Sequence, residues 1–254
     1  MHHVFRQTLV PAPPAAVWRD LTDPARVSRW FAAADRVALG QRFRFDFGDG
    51  DFFAGEVLEW DEPSYLHLAW RFMDLGPRFH IRFYLTPLPE GTEVTVHDHG
   101  SQSVEEAQSL RAGWEDFLER LRQHAATGAN VRYLWSETIG IGALLAGAGP
   151  RPPELDDRAF WERAFPGAAV QAERRGESEL RLAFEEERWG GARTEALVET
   201  APADGATYVG LVHRGWPLLP GDLAIPERRR YAGLWREALA GLERKYARAG
   251  AEAA

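Results

Sequence analysis

The side chains best suited to hold a metal or move a proton gather in His97-Asp98-His99, with His80 on the run before it. Imidazoles spaced i, i+2 on a strand, joined by another across a hairpin, could ligate a metal ion. Residues 78–85 and 92–98 alternate apolar and polar, as half-buried strands do. Pairing Leu85 with Thr92 sets His80 opposite His97 and Asp98 opposite Phe79. His80, His97 and His99 then leave the apolar side together. No carboxylate clearly joins that face, so a solvated sheet surface is the simpler reading and no metal is assigned. Asp98 points the other way, in line with Val94 and Val96. An ionisable group that closes an apolar line could orient a ligand or act as acid or base. The competing reading is a strand-end residue that caps a turn or reaches water. His213 takes the same place later in the chain, in line with Val209 and Leu211.

Other patterns carry less. Asp46, Asp49 and Asp51 surround Gly48 and Gly50, but calcium-loop spacing and its closing glutamate are missing, so they read as a hairpin turn. Gly140-Ile-Gly142 with Gly147 and Gly149 lacks the third glycine of a dinucleotide loop and reads as a closely packed, small-residue helix. Arg228-Arg-Arg230 reads as the exposed start of the last helix. There is no G-x-S-x-G elbow, no cysteine to serve as nucleophile, disulfide or zinc ligand, and Lys245 is the sole lysine. A net charge of −8 argues against a nucleic-acid partner, which needs a clustered basic surface. No catalytic apparatus and no cofactor site emerge.

The elements that must position these residues follow a repeated plan. Residues 91–100 form an alternating strand, and a helix with Trp114, Phe117, Leu118 and Leu121 on one face comes after it. Residues 206–215 repeat the strand, and Trp235, Ala238, Leu239 and Leu242 repeat the helix. Gly100 and Gly215 stand 115 residues apart and Trp114 and Trp235 stand 121 apart, so the second copy has six extra residues between strand and helix. Upstream, residues 4–10 read as a strand, and Pro11 to Pro14 start a helix bearing Val17, Trp18 and Leu21. A second short helix carries Val27, Trp30 and Phe31. Strands follow at 41–47, 51–60, 65–72 and 78–85, with Phe43, Phe45 and Phe47 on one side of the first. Strands in a meander with helices set apart make an α+β layer fold.

Over residues 4–128 these phrases resemble the START-like helix-grip (SRPBCC) superfamily, in particular its branch related to the C-terminal domain of activators of the Hsp90 ATPase. The resemblance rests on V-P-A-P-P-A-A-V-W-R-D-L-T-D-P, S-R-W-F, G-Q-R-F-R-F-D-F, G-E-V-L-E-W, L-T-P-L-P-E-G-T-E-V-T-V and G-W-E-D-F-L-E-R-L in that order. It implies a curved antiparallel sheet gripping a long C-terminal helix, with a cavity between them. It does not imply co-chaperone activity, because the ATPase-stimulating motif of true activators lies in another domain that has no counterpart here. The second half resembles the family in part. Leu180-Arg-Leu-Ala-Phe184 matches Leu66-His-Leu-Ala-Trp70, while residues 130–167 show no clear opening strand or proline-led helix.

The expectation is therefore a tandem α+β protein, with a helix-grip domain at 1–128 and a divergent or shortened copy at 129–254. Its expected function is non-catalytic binding of a small hydrophobic or amphipathic molecule. The cavity would be walled by Phe43, Phe45, Leu68, Trp70, Phe79, Ile81, Phe83, Val94 and Val96. Trp30 and Phe31 would close one end, Trp114 and Leu118 would form the roof, Asp98 would be a polar handle, and His213 would serve in the second copy. A usable cavity would hold roughly 300–1,000 Å³. Two other readings stand beside this one. One is a cyclase- or hydrolase-like enzyme using the same cavity with Asp98 or His213 as acid or base. The other is a chaperone-associated interaction module with a protein partner. The start of the chain lacks the apolar core of a signal peptide, and residues 139–149 are too short to span a bilayer, so a soluble, cytoplasmic protein is expected.

Overall fold

The computed structural model describes residues 2–101, 104–133 and 135–252. The chain forms two compact units, the first comprising residues 1–48 and 52–134 and the second residues 49–51 and 135–254.

The first unit opens with strand β1 (His2–Val10), followed by helix α1 (Pro14–Thr22) and helix α2 (Pro24–Trp30). Each helix begins with a proline, whose missing N–H is no loss in a first turn. Asp23 caps α2 by accepting the N–H of Ala25 at 2.8 Å. Strands β2 (Ala33–Ala34), β3 (Arg42–Asp46), β4 (Phe52–Asp61), β5 (Tyr65–Phe72), β6 (Leu75–Leu88) and β7 (Gly91–Ser101) build an antiparallel sheet. Its order is β1-β7-β6-β5-β4-β3-β2, so the first strand closes the meander beside the last. Helix α3 (Val104–Thr127) lays Trp114, Leu118 and Leu121 into the core against Phe83, Val94 and Val96. This is the helix-grip arrangement.

Two details of the sheet differ from the sequence reading. The β6–β7 hairpin turns through Pro89-Glu90 alone, with Leu88 facing Gly91. The register is therefore two residues away from the expected one: Leu85 faces Val94, Ile81 faces Asp98, and His80 faces His99 rather than His97. Because the slip is an even number, inward and outward faces are kept. The second difference is a bulge in β4. Val57 pairs with Leu68 and Glu59 pairs with His67, which leaves Leu58 as an extra residue. The bulge turns Glu59 onto the outer face, so that face does carry a carboxylate.

The second unit contains β8 (Ile139–Ala146), a 3-10 turn at Pro153–Asp156, α4 (Arg158–Ala164), β9 (Ala169–Arg174), β10 (Glu179–Glu185), β11 (Thr194–Ala203), β12 (Ala206–Arg214) and α5 (Ala224–Glu252). The strand order β8-β12-β11-β10-β9 repeats β1-β7-β6-β5-β4, without partners for β2 and β3. The opening elements missing from the sequence reading are present. β8 pairs with β12 as β1 pairs with β7, and Pro152-Pro153 leads toward α4. The glycine-rich run is thus a strand and not a small-residue helix. Ile139, Ile141, Ala143 and Leu145 are buried at every second position, and the ring of Tyr208 covers Gly142. The six inserted residues place a 3-10 turn at Trp216–Leu218, whose tryptophan is buried.

Arg228 also corrects the sequence reading. It lies in the first turns of α5 but is 0% exposed. It donates to Asp51 through Nη1 at 2.7 Å and Nη2 at 2.6 Å, and to the carbonyls of Asp49, Ser136 and Thr138. A buried guanidinium requires such a full set of acceptors. Asp49 also accepts the N–H of Ser136 at 2.7 Å. Asp49 and Asp51 of the turn are engaged by these contacts, and Asp46 accepts the N–H of Gly48 at 2.8 Å. No helix among the described residues is long and apolar enough to cross a membrane.

Candidate functional site

The residues with most functional promise meet beneath α3 in the first unit. Trp114 descends from the helix toward the sheet and stacks on Trp70 of β5 at 6.0 Å between ring centroids. Trp70 in turn stacks on Phe53 at 4.5 Å. Phe31, at the end of α2, meets Phe45 edge-on at 5.3 Å and Phe117 at 4.7 Å. Offset and edge-to-face contacts of this kind hold rings in fixed orientation. Trp30 is fixed separately, because its indole N–H donates to the carbonyl of Asp20 at 2.8 Å.

These rings do not fill the space completely. A hollow of about 20 Å³ remains, lined by Trp30, Phe31, Phe45, Leu68, Trp70, Phe83 and Trp114, all named from the sequence, together with Leu21 and Val27. Leu21 and Val27 had been legible only as apolar helix-face positions. The hollow is far smaller than the cavity expected and has room for about one water-sized sphere. Phe43, Phe79, Ile81, Val94, Val96 and Leu118 are buried in the surrounding core without lining it.

Asp98 does not stand at a mouth. It is buried, and its Oδ2 accepts the indole N–H of Trp114 at 2.7 Å. A carboxylate that accepts such a bond fixes the rotamer of the ring that roofs the hollow. His213 does the same work in the second unit, where its Nδ1 accepts the indole N–H of Trp235 at 2.9 Å. Its Nε2 therefore carries the proton and donates to Thr194 Oγ1 at 2.8 Å. Burial first, and the charge of Arg228 second, push the His213 imidazole well below its ordinary proton affinity. The ring is neutral and packed between Phe184 and Trp216.

The chemistry available in the hollow is burial and ring stacking. Its lining is apolar and aromatic, and the nearby carboxylate of Asp98 is engaged by Trp114. Among the described residues no three His, Asp or Glu side chains converge as a metal-binding group.

Both units, each with an antiparallel sheet closed by its first strand and gripped by its last helix, define tandem helix-grip domains. Residues 11–126 match the family described as Activator of Hsp90 ATPase homolog 1-like protein. Among solved structures, DynU16, described as a protein in the dynemicin biosynthetic locus, is 30% identical with a TM-score of 0.86. The match covers 96% of this chain and 98% of DynU16. MLL2253 from Mesorhizobium loti is 28% identical over 48% of this chain and 95% of its own, with a TM-score of 0.45. CalU16 from Micromonospora echinospora is 23% identical over 50% of this chain and 77% of its own, with a TM-score of 0.43. No protein of curated function matches. The chain belongs to the START-like (SRPBCC) superfamily, in the branch of the Activator of Hsp90 ATPase homolog 1-like proteins.

Proposed function

We propose that the first unit binds a small apolar molecule with a flat aromatic portion, in the space beneath α3, without transforming it. The observation that carries this reading is the hollow among Trp30, Phe31, Trp70 and Trp114, at the place where the fold sets sheet and helix apart. At about 20 Å³ it marks the site without being able to hold the ligand. Binding therefore requires the α2 side of the wall, formed by Val27, Trp30 and Phe31, to move outward. The segment is short, seven residues joined to α1 through Asp23 alone, and its outward movement would release the indole of Trp30 from the carbonyl of Asp20. Each aromatic face then uncovered would regain its buried area against the ligand, at roughly 25 cal/mol per Å². The apolar lining favours binding over acid–base catalysis. The place of DynU16 in a biosynthetic locus is compatible with a small organic ligand.

The test uses the neutral fluorophore N-phenyl-1-naphthylamine, titrated into the full chain while its emission and tryptophan quenching are followed. Saturable one-to-one binding is expected, tighter in Phe31→Ala, which widens the hollow. Absence of saturable binding in both proteins overturns the proposal.

A further inference from the structure

The outer face of the first sheet gathers five of the chain's eight histidines: His3 on β1, His97 and His99 on β7, His80 on β6 and His67 on β5. Two pairs are in direct contact. His3 and His99 bring their Nδ1 atoms to 2.5 Å, a separation that accommodates a shared proton. His67 Nε2 and His80 Nδ1 lie 3.1 Å apart, and this pair differs from the other in what stands behind it. Glu59 Oε1 is 2.9 Å from His67 Nδ1. The carboxylate accepts the Nδ1–H, which fixes the tautomer and turns the Nε2 lone pair toward His80.

This is the carboxylate–histidine relay that orients imidazole ligands in metal sites. The spacing also fits, because two metal–nitrogen bonds of about 2.0–2.1 Å meeting at roughly 100° separate their nitrogens by about 3.1 Å. We propose that His67 Nε2 and His80 Nδ1 form a chelating pair for a divalent transition metal, zinc in the first instance, with Glu59 behind His67 and water completing the coordination.

The surroundings permit a cation. In the absence of metal the His80 Nδ1–H donates to His67 Nε2, and the metal would take the place of that proton, with His80 keeping its hydrogen on Nε2. Arg78 is paired with Glu56, while Glu59 and Tyr65 lie beside Arg82, so two glutamates offset the two guanidinium charges. His67 is 4% exposed and His80 is half-buried, which leaves the water positions on the side of His80. The β4 bulge is what makes the site, because without Leu58 as an extra residue Glu59 would lie on the other face.

Zinc chloride is titrated into the full chain by calorimetry at pH 7.5, with the histidine ring resonances followed by NMR. One zinc per chain is expected, shifting the rings of His67 and His80. His67→Gln and His80→Gln, checked for folding by circular dichroism, should each weaken binding by about ten-fold or more, and Glu59→Gln by about ten-fold. His3→Gln should leave it unchanged. Zinc binding that survives both His67→Gln and His80→Gln, or that disappears in His3→Gln, overturns the assignment. So does a wild-type chain whose His67 and His80 resonances do not move, a reading that needs no variant.

Discussion

Trp114 of α3 hangs its indole N–H on Asp98 of β7 at 2.7 Å, and the helix is thereby keyed to the strand that precedes it. The second unit repeats the link between Trp235 and His213 at 2.9 Å. The two units keep the donor and differ in the acceptor, a carboxyl oxygen in one and a ring nitrogen in the other. The link is thus a positioning device shared by the two units. In unfolding by urea, Trp114→Ala should cost about 3–5 kcal/mol, as large aromatic truncations in cores do. Asp98→Leu, which removes the acceptor, should cost about 1–3 kcal/mol, and Asp98→Asn less, because its amide oxygen still accepts. A loss below about 1 kcal/mol for Trp114→Ala would place that ring outside the core.

The neutral acceptor makes the second unit sensitive to acid. The unfolded chain protonates His213 near its ordinary value of 6.5, while the folded ring resists protonation to well below that. Below pH 6.5 the unfolded state therefore binds the extra proton, and stability falls as pH falls, by up to about 1.4 kcal/mol per pH unit. Above pH 7 the term is constant. His213→Gln, which can accept from Trp235 without titrating, should flatten the slope of unfolding free energy between pH 6.5 and 5 relative to wild type.

The hollow predicts a rescue. Phe31→Ala should lower the midpoint of thermal unfolding, since large-to-small changes in cores cost about 3–5 kcal/mol. Saturating toluene should return part of that loss by filling the vacated space, as a ligand bound only by the folded state does. Equal shifts of wild type and variant on adding toluene would show that the enlarged space is not being occupied.

Gly55 of β4 tests how closely the sheet is folded over its aromatic cluster. A Cβ there would overlap the carbonyl oxygen of Ala69 and lie 2.7 Å from the Cα of Trp70, so backbone would have to shift. Gly142 of β8 would meet only the movable ring of Tyr208. Gly55→Ala should therefore destabilise by about 1–3 kcal/mol and broaden the Trp70 indole resonance, with Gly142→Ala the milder of the two.

Much of the fold was legible because it is written twice. The strand–helix phrase ending in Trp114 and Trp235 revealed the duplication, and strict alternation identified the inward rings of β3, β5 and β6. What escaped depends on relations that local periodicity does not encode. An extra residue inside a continuous strand, as at Leu58, has no signature in the alternation until the partner is known. β8 was missed because glycine and alanine blur the difference between a period of two and one of 3.6. Arg228 read as surface because its carboxylate partner stands 177 residues away. The size of the hollow depends on how Trp30, Phe31 and Trp114 interlock, a matter of rotamers that residue types leave open.

The three residues 49–51 that belong with the second unit tie its folding to a stretch of chain that lies inside the first. A cut at the boundary that the repeat suggests, between 128 and 129, would yield a C-terminal half in which Arg228 keeps the carbonyls of Ser136 and Thr138 but loses Asp49 and Asp51. Breaking a buried ion pair by removing one partner typically costs about 3–5 kcal/mol, a large fraction of a domain's whole stability. The second copy thus draws part of its buried charge pairing from a loop encoded inside the first.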